Sequence, residues 1–189
     1  DAPSGMIAVN SIKNYDGTGN IIKSFNQGEV TKVVPTKGDA RIATMELAVV
    51  NNTDTDAEEM VLIGRVPFEG NKDVETGEDL GTNVTTAMKS LVVPADFNSN
   101  EVTVYYSSNP NADRDLNNEA NGWNTSFAPI ENVKSFMIVV NNTFKAGSVL
   151  KFEYNFEIPA NLGYEVKILG SFGAFYNSID NNLTLYKSE

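Results

Sequence analysis

Residues 149–158 read Val-Leu-Lys-Phe-Glu-Tyr-Asn-Phe-Glu-Ile, with large apolar residues at every second position from Leu150 to Ile158. That period puts Leu150, Phe152, Tyr154, Phe156 and Ile158 on one face of an extended chain and Lys, Glu and Asn on the other. Thr44-Met45-Glu46-Leu47-Ala48-Val49 repeats the pattern, and Phe172, Ala174 and Tyr176 repeat it near the end. A chain with several such runs folds into sheets that bury one face and wet the other. The runs predict strands over 42–51, 57–66, 101–106, 135–140, 148–158 and 164–176. Between them stand turn formers, among them 24 Asn, 14 Gly and 7 Pro. Asn and Gly accept the left-handed conformations that tight turns need. Ile7-Ala8-Val9 and Val33-Val34 are expected as edge strands, and Leu183-Thr184-Leu185-Tyr186 as an exposed edge. Ala87-Met88-Lys89-Ser90-Leu91 reads as one helical turn. Gly170 and Gly173 interrupt the last long strand, which predicts a bulge or a close backbone approach. The longest polar stretch, 107–125, reads as a long inserted loop with a short helix. The expectation is an all-β chain.

Two absences narrow the chemistry. The 189 residues contain no Cys and no His. Disulfides, thiol nucleophiles, imidazole bases and Cys- or His-ligated zinc are excluded. The net charge of −11 repels phosphate backbones, so nucleic acid is not an expected partner. No apolar run reaches the length of a membrane helix, and no secretory leader pattern opens the chain. The length suits one domain over 1–189.

Val49-Val50-Asn51-Asn52-Thr53 recurs as Val139-Val140-Asn141-Asn142-Thr143, and each copy precedes a turn, a second strand and a Pro, Pro67 or Pro159. Similar hairpin chemistry accounts for this better than two related halves, since the intervening segments do not match.

The run Leu47-Ala48-Val49-Val50-Asn51-Asn52-Thr53-Asp54-Thr55-Asp56, followed by Met60-Val61-Leu62-Ile63-Gly64-Arg65-Val66-Pro67-Phe68, resembles a repeated domain of large cell-wall-anchored surface proteins and adhesins of Gram-positive, clostridial-type bacteria. The resemblance continues through Val104-Tyr105-Tyr106-Ser107, Asn121-Gly122-Trp123 and Ile158-Pro159-Ala160-Asn161-Leu162. It covers roughly 41–177, while 1–40 read as edge strands or a linker. It implies an immunoglobulin-like antiparallel β-sandwich with a long inserted loop. The implied role is a non-catalytic structural and adhesive module, extracellular and anchored to the cell wall through parts outside this chain. The implied partners are neighbouring domains of the same surface protein and a host or glycan ligand, without membrane insertion.

The same resemblance raises an intramolecular isopeptide staple joining an early Lys (Lys13, Lys23 or Lys32) to Asn177, with Glu46 moving the protons. Glu46 falls on the face opposite Met45 and Leu47, so a plain solvent-facing role competes. Calcium is a candidate cofactor on the residues alone. Asn109, Asn111, Asp113, Asp115, Asn117 and Glu119 place oxygen side chains at alternate positions, and hard cations take six to eight oxygens. Arg114 stands where an EF-hand loop would carry Gly. Asp54–Asp56 with Glu58 and Glu59 form a second acidic loop. The lone Trp123 beside this segment, with Tyr105 and Tyr106 before it, offers aromatic faces for a ligand or for the core. Carboxylate pairs such as Asp113 with Asp115 come without any nucleophile or phosphate motif, so no enzyme is expected. A carbohydrate-binding module and a self-assembling surface-layer or pilus subunit are the alternative readings.

Overall fold

A computed structural model describes residues 5–15, 21–25, 42–74, 76–159, 167–177 and 183–188. Among the described residues, ten strands form two antiparallel five-stranded sheets. The strands are β1 (Gly5–Tyr15), β2 (Ile21–Phe25), β3 (Ile42–Asn52), β4 (Met60–Arg65) and β5 (Ala87–Val92), then β6 (Val102–Ser107), β7 (Ser135–Val140), β8 (Val149–Glu157), β9 (Ser171–Asn177) and β10 (Leu183–Ser188). One sheet runs β2-β1-β3-β8-β5 and the other β10-β9-β4-β7-β6.

That order is immunoglobulin-like. An immunoglobulin domain keeps strands A, B, E and D in one sheet and C, F and G in the other. Here β1, β3, β8 and β5 take the A-B-E-D positions, and β4, β9 and β10 take C, F and G. The departures are β2, added outside β1, and the hairpin β6–β7, inserted between D and E and paired to the free side of β4.

The alternating runs do what their period dictates. Ala43, Met45, Leu47 and Val49 of β3 face Leu150, Phe152, Tyr154 and Phe156 of β8 in register, and all are buried. From the other sheet, Met60, Leu62, Phe136, Ile138, Phe172 and Ala174 close the same core. Tyr154 packs against Phe136 with centroids 5.0 Å apart and tilted rings, the arrangement aromatic quadrupoles favour. Gly64 is required by that packing, because a Cβ there would sit on the Phe136 ring.

Three expectations are corrected. The segment 87–91 is not a helical turn but the strand β5. It pairs with β8 through a register shift between Met88 and Ser90, and it buries Met88 in the core. Tertiary pairing outweighs the weak local helical preference of a five-residue stretch. Ile7-Ala8-Val9 belong to the eleven-residue strand β1 and pair with Val50, Val49 and Ala48 of β3, while β2 pairs only with Ile12–Tyr15, so this stretch stands at an edge among the described residues as expected. The repeated Val-Val-Asn-Asn-Thr segments do not open hairpins. Each carries the chain from one sheet to the other, β3 to β4 and β7 to β8. The two crossings then pair at Ala57 and Phe144. The two Asn differ accordingly: buried Asn51 donates through Nδ2 to the carbonyls of Thr55 and Phe144, whereas Asn141 is exposed. Finally, 167–170 is not strand, and Gly173 sits in regular register opposite Ile63. Gly170 does mark a close approach, since a Cβ there would meet Met45 Cε at 2.9 Å. β10 stands at the end of its sheet, as an edge. Val33-Val34 lie outside the described residues.

Candidate functional site

The outer face of the second sheet carries a row of polar residues at one end of the sandwich. Ser171, Arg65, Ser135 and Ser107 stand side by side in register on β9, β4, β7 and β6. All four are buried. Polar groups out of water need partners, and the chain supplies them from the segments that leave the sheet here. Arg65 Nη1 donates to the carbonyl of Ala112 and to Ser135 Oγ, both at 2.8 Å. Ser135 Oγ donates on to the carbonyl of Asn109 at 2.8 Å. Ser107 Oγ donates to the carbonyl of Asn121 and accepts from the Asn109 N–H. Ser171 Oγ accepts from the N–H of Val74, tying down the β4–β5 connection.

The insert between β6 and β7, residues 108–134, therefore lies across this face as a docked layer. It starts at β6, yet Arg114 reaches the ring of Phe175 on β9, 4.9 Å from its centroid. Ile63 and Met137 also point to this outer face and are 2% and 1% exposed. The insert returns along β6, where Tyr106 and Asn124 exchange backbone bonds of 2.8 and 3.0 Å.

Within the insert, side-chain oxygens cap backbone donors two residues on, the Asx-turn habit of Asn and Asp. Asn109, Asp113 and Asp115 accept in this way from the N–H groups of Asn111, Asp115 and Asn117, each at 2.9 Å. Buried Asn121 is the hub. Its Nδ2 donates to Asp113 Oδ1 at 2.6 Å and to the carbonyl of Asp115, and its Oδ1 accepts from the Asp113 N–H. A 3-10 turn over Glu119–Asn121 ends at Gly122, whose φ of 64° is the left-handed value that suits Gly. Trp123 Nε1 donates to the carbonyl of Asp113 at 2.6 Å, so the lone Trp braces the loop.

The charges follow from this packing. The Asp113 carboxyl is held below the usual carboxylate range, first by the Asp115 N–H, then by the Asn121 amide, with Arg114 and Arg65 adding attraction. Burial lowers Arg65 to about 10, against the opposing pull of Asp113. Burial raises the Tyr106 phenol and lowers the Lys134 ammonium. At the opposite end of the sandwich the Glu101 carboxyl is held low by the side chain and N–H of Asn98, with help from Asn142.

The sequence candidates fall as follows. Tyr106 packs on the core, while Tyr105 lies on the outer face opposite Met137. Among Asn109, Asn111, Asp113, Asp115, Asn117 and Glu119, the oxygens that make bonds engage backbone N–H groups and the Asn121 amide along successive turns. Among the described residues no three acidic side chains are grouped to hold a metal ion. In the second acidic loop Asp56 Oδ1 accepts the N–H of Ala146. Lys13 stands on β1 opposite Thr44 and Lys23 on β2 opposite Asn14, in the first sheet. Asn177 ends β9 in the second sheet. Glu46 lies on the outer face of β3, 4.0 Å from Lys151 Nζ. Lys32 lies outside the described residues. Sequence reasoning missed the Ser171–Arg65–Ser135–Ser107 row. Its signal was present: a polar residue at the same end of each of four apolar strands.

No protein-family model and no curated protein matches this chain. Among solved structures it is similar to ACE19, the collagen-binding subdomain of the Enterococcus faecalis surface protein ACE. Identity is 11% and the TM-score 0.40, over 80% of this chain and 87% of that one. A longer structure of the same MSCRAMM, described as binding its ligands by the collagen hug, gives 10% identity and a TM-score of 0.40. That match covers 98% of this chain and 58% of the other. A carbohydrate-binding module of Ruminiclostridium thermocellum gives 11% and 0.34, over 94% of this chain and 97% of that one. The fold defines a class: an all-β, immunoglobulin-like sandwich with a hairpin and a docked insert between its D and E strands.

Proposed function

We propose that the chain is a non-catalytic structural and adhesive module of a bacterial cell surface, and that its ligand surface is the docked insert. The observation that carries this reading is the fixing of residues 108–134 to the sheet by the buried Arg65, Ser107 and Ser135. A loop held in one shape loses little freedom when it binds, and preorganisation of that kind converts contact into affinity. The insert presents Leu116, 51% exposed, in one stretch of chain with the exposed Asp113, Asp115 and Glu119. An acidic stretch with an apolar point suits a partner with basic and apolar groups, such as a host protein. Hydrolytic chemistry is disfavoured at the Asp113–Asp115 pair. A general acid needs a raised pKa, and Asp113 is held low.

The test uses Trp123, the single Trp, as a built-in reporter of the insert. Its emission is followed as immobilisable host-matrix proteins and a set of glycans are titrated in, with Leu116→Asp as the control. Saturable change with a protein, lost in Leu116→Asp, supports the reading. Saturable change with a glycan alone favours the carbohydrate-binding alternative. Concentration-dependent mass in sedimentation without either ligand favours the self-assembling subunit.

A further inference from the structure

The β4–β5 connection folds back on itself beside the start of β9. Lys72 bridges Asp79, the Asp73 N–H donates to the carbonyl of Glu78 at 2.8 Å, and the Leu80 N–H donates to the carbonyl of Asn71 at 3.1 Å. Alternate residues of an extended segment share a face. Asn71 and Asp73 share the inner one and are 0% and 3% exposed, whereas Lys72 between them and Asp79 opposite are exposed. The inner face lies against the chain entering β9. Asn71 Nδ2 donates to the carbonyl of Leu169 at 2.7 Å, and the Val74 N–H donates to Ser171 Oγ at 3.2 Å.

One atom of this packing is left over. Asn71 Oδ1 is out of water and meets no hydrogen-bond donor among the described residues. Turning the amide over does not help. Nδ2 is fixed by the Leu169 carbonyl, and a flip would set two oxygens against each other. Two residues on stands an acid, Asp73, whose Oδ1 accepts from the Thr76 N–H at 2.8 Å. An amide oxygen and a carboxylate on one buried face are both negative ends, so what complements them is positive. The exposed Glu78 and Asp79 of the returning segment deepen the negative potential.

We infer that the buried face of this connection is a calcium site, with Asn71 Oδ1 and the Asp73 carboxylate as its side-chain ligands. Calcium takes about six to eight oxygens, amide and backbone carbonyls and water among them, in a flexible geometry. Magnesium demands a tighter octahedron and gives up water reluctantly. A single buried carboxylate is a low ligand charge, so the affinity falls in the range of extracellular modules, on the order of 10⁻⁴–10⁻³ M. The ion ties the connection to the start of β9, at the sheet end where Ser171 begins the Ser171–Arg65–Ser135–Ser107 row. This inference stands on the 71–82 segment and not on the ligand reading of the insert.

The experiment is a calcium titration of the chelator-stripped full chain, read by calorimetry and by the thermal midpoint at constant ionic strength. The parent should bind calcium saturably, and its midpoint should rise by roughly 3 °C or more at about 10 mM calcium. Equal magnesium should give a clearly smaller rise. Asp73→Asn keeps an oxygen for the Thr76 N–H and removes the charge; it should bind at least about tenfold more weakly, with circular dichroism confirming its fold. No calcium binding by the parent overturns the site and leaves water as the partner of Asn71 Oδ1. Binding that survives in Asp73→Asn overturns it too, because the ion then sits elsewhere. Should that variant fail to fold, hydrogen exchange of the parent decides. Protection gained with calcium at the Thr76, Gly77 and Leu80 N–H groups supports the site, and unchanged exchange there overturns it. A domain that binds calcium but neither host protein nor glycan keeps this site and loses the adhesive reading.

Discussion

Asn121 and Asp113 hold each other at both ends: the Asn121 amide donates to Asp113 Oδ1 at 2.6 Å, and its oxygen accepts from the Asp113 N–H at 3.1 Å. With the third bond, from Nδ2 to the carbonyl of Asp115 at 2.8 Å, one buried side chain joins three backbone turns. Asn121→Ala should therefore cost the insert about 2–4 kcal/mol, because it removes three hydrogen bonds made by a buried side chain, one of them to a carboxylate. The measurement is Trp123 emission during denaturant titration. The variant should show a separate early transition of the insert, with the sandwich unfolding near its parent midpoint.

Asn121 also precedes Gly122, the sequence context in which free chains most readily close a succinimide. Closure needs the backbone nitrogen of Gly122 to attack the Asn121 amide carbon. In the fold that amide is pinned by three bonds, and the Gly122 N–H is bonded to the carbonyl of Glu119. Native protein held at pH 8 should keep its mass for weeks, while the denatured chain should deamidate at this site within days. Peptide mapping reads the difference.

Acid should loosen the insert before the core. The Asp113 carboxyl is depressed in the fold, so it adds stability above its unfolded value of about 3.9, and that stability is lost as the pH falls through the lower folded value. Trp123 emission should thus stay constant from pH 7 to about 4 and change below. Asp113→Asn, which keeps an acceptor oxygen, should flatten that change.

Gly64→Ala is expected to be severe, because the added Cβ would fall on the Phe136 ring in the centre of the core. Overpacking of this kind costs about 1–3 kcal/mol, and more where the neighbour cannot move. Thermal melting should show a clear drop, and Phe136→Leu in the same chain should recover part of it.

The sandwich was legible because its strands alternate. Leu150, Phe152, Tyr154 and Phe156 fall in the core where the period puts them, and Glu46 falls outside it. β5 was not legible, because Ala87-Met88-Lys89-Ser90-Leu91 has no clear alternation and its bulge at Met88/Ser90 breaks the period. The crossings after Asn52 and Val140 were misread as hairpins because a short turn looks the same whether it stays in one sheet or changes sheets. The insert was recognised as a unit, yet its docking was hidden. Asn and Asp at alternate positions suit a cation loop and a chain of Asx turns equally. The docking depends on Arg65, a long way off in sequence, whose buried guanidinium draws the carbonyl of Ala112 onto the sheet.

That docking is the central claim, and hydrogen exchange across residues 108–134 tests it most directly. A docked insert predicts slow exchange at the N–H groups of Asp113, Asn121, Asn124 and Lys134, approaching the rates of β4 and β7, with Arg65→Met raising them selectively. Complete exchange of the whole segment at the earliest time point, in the parent protein, would contradict it.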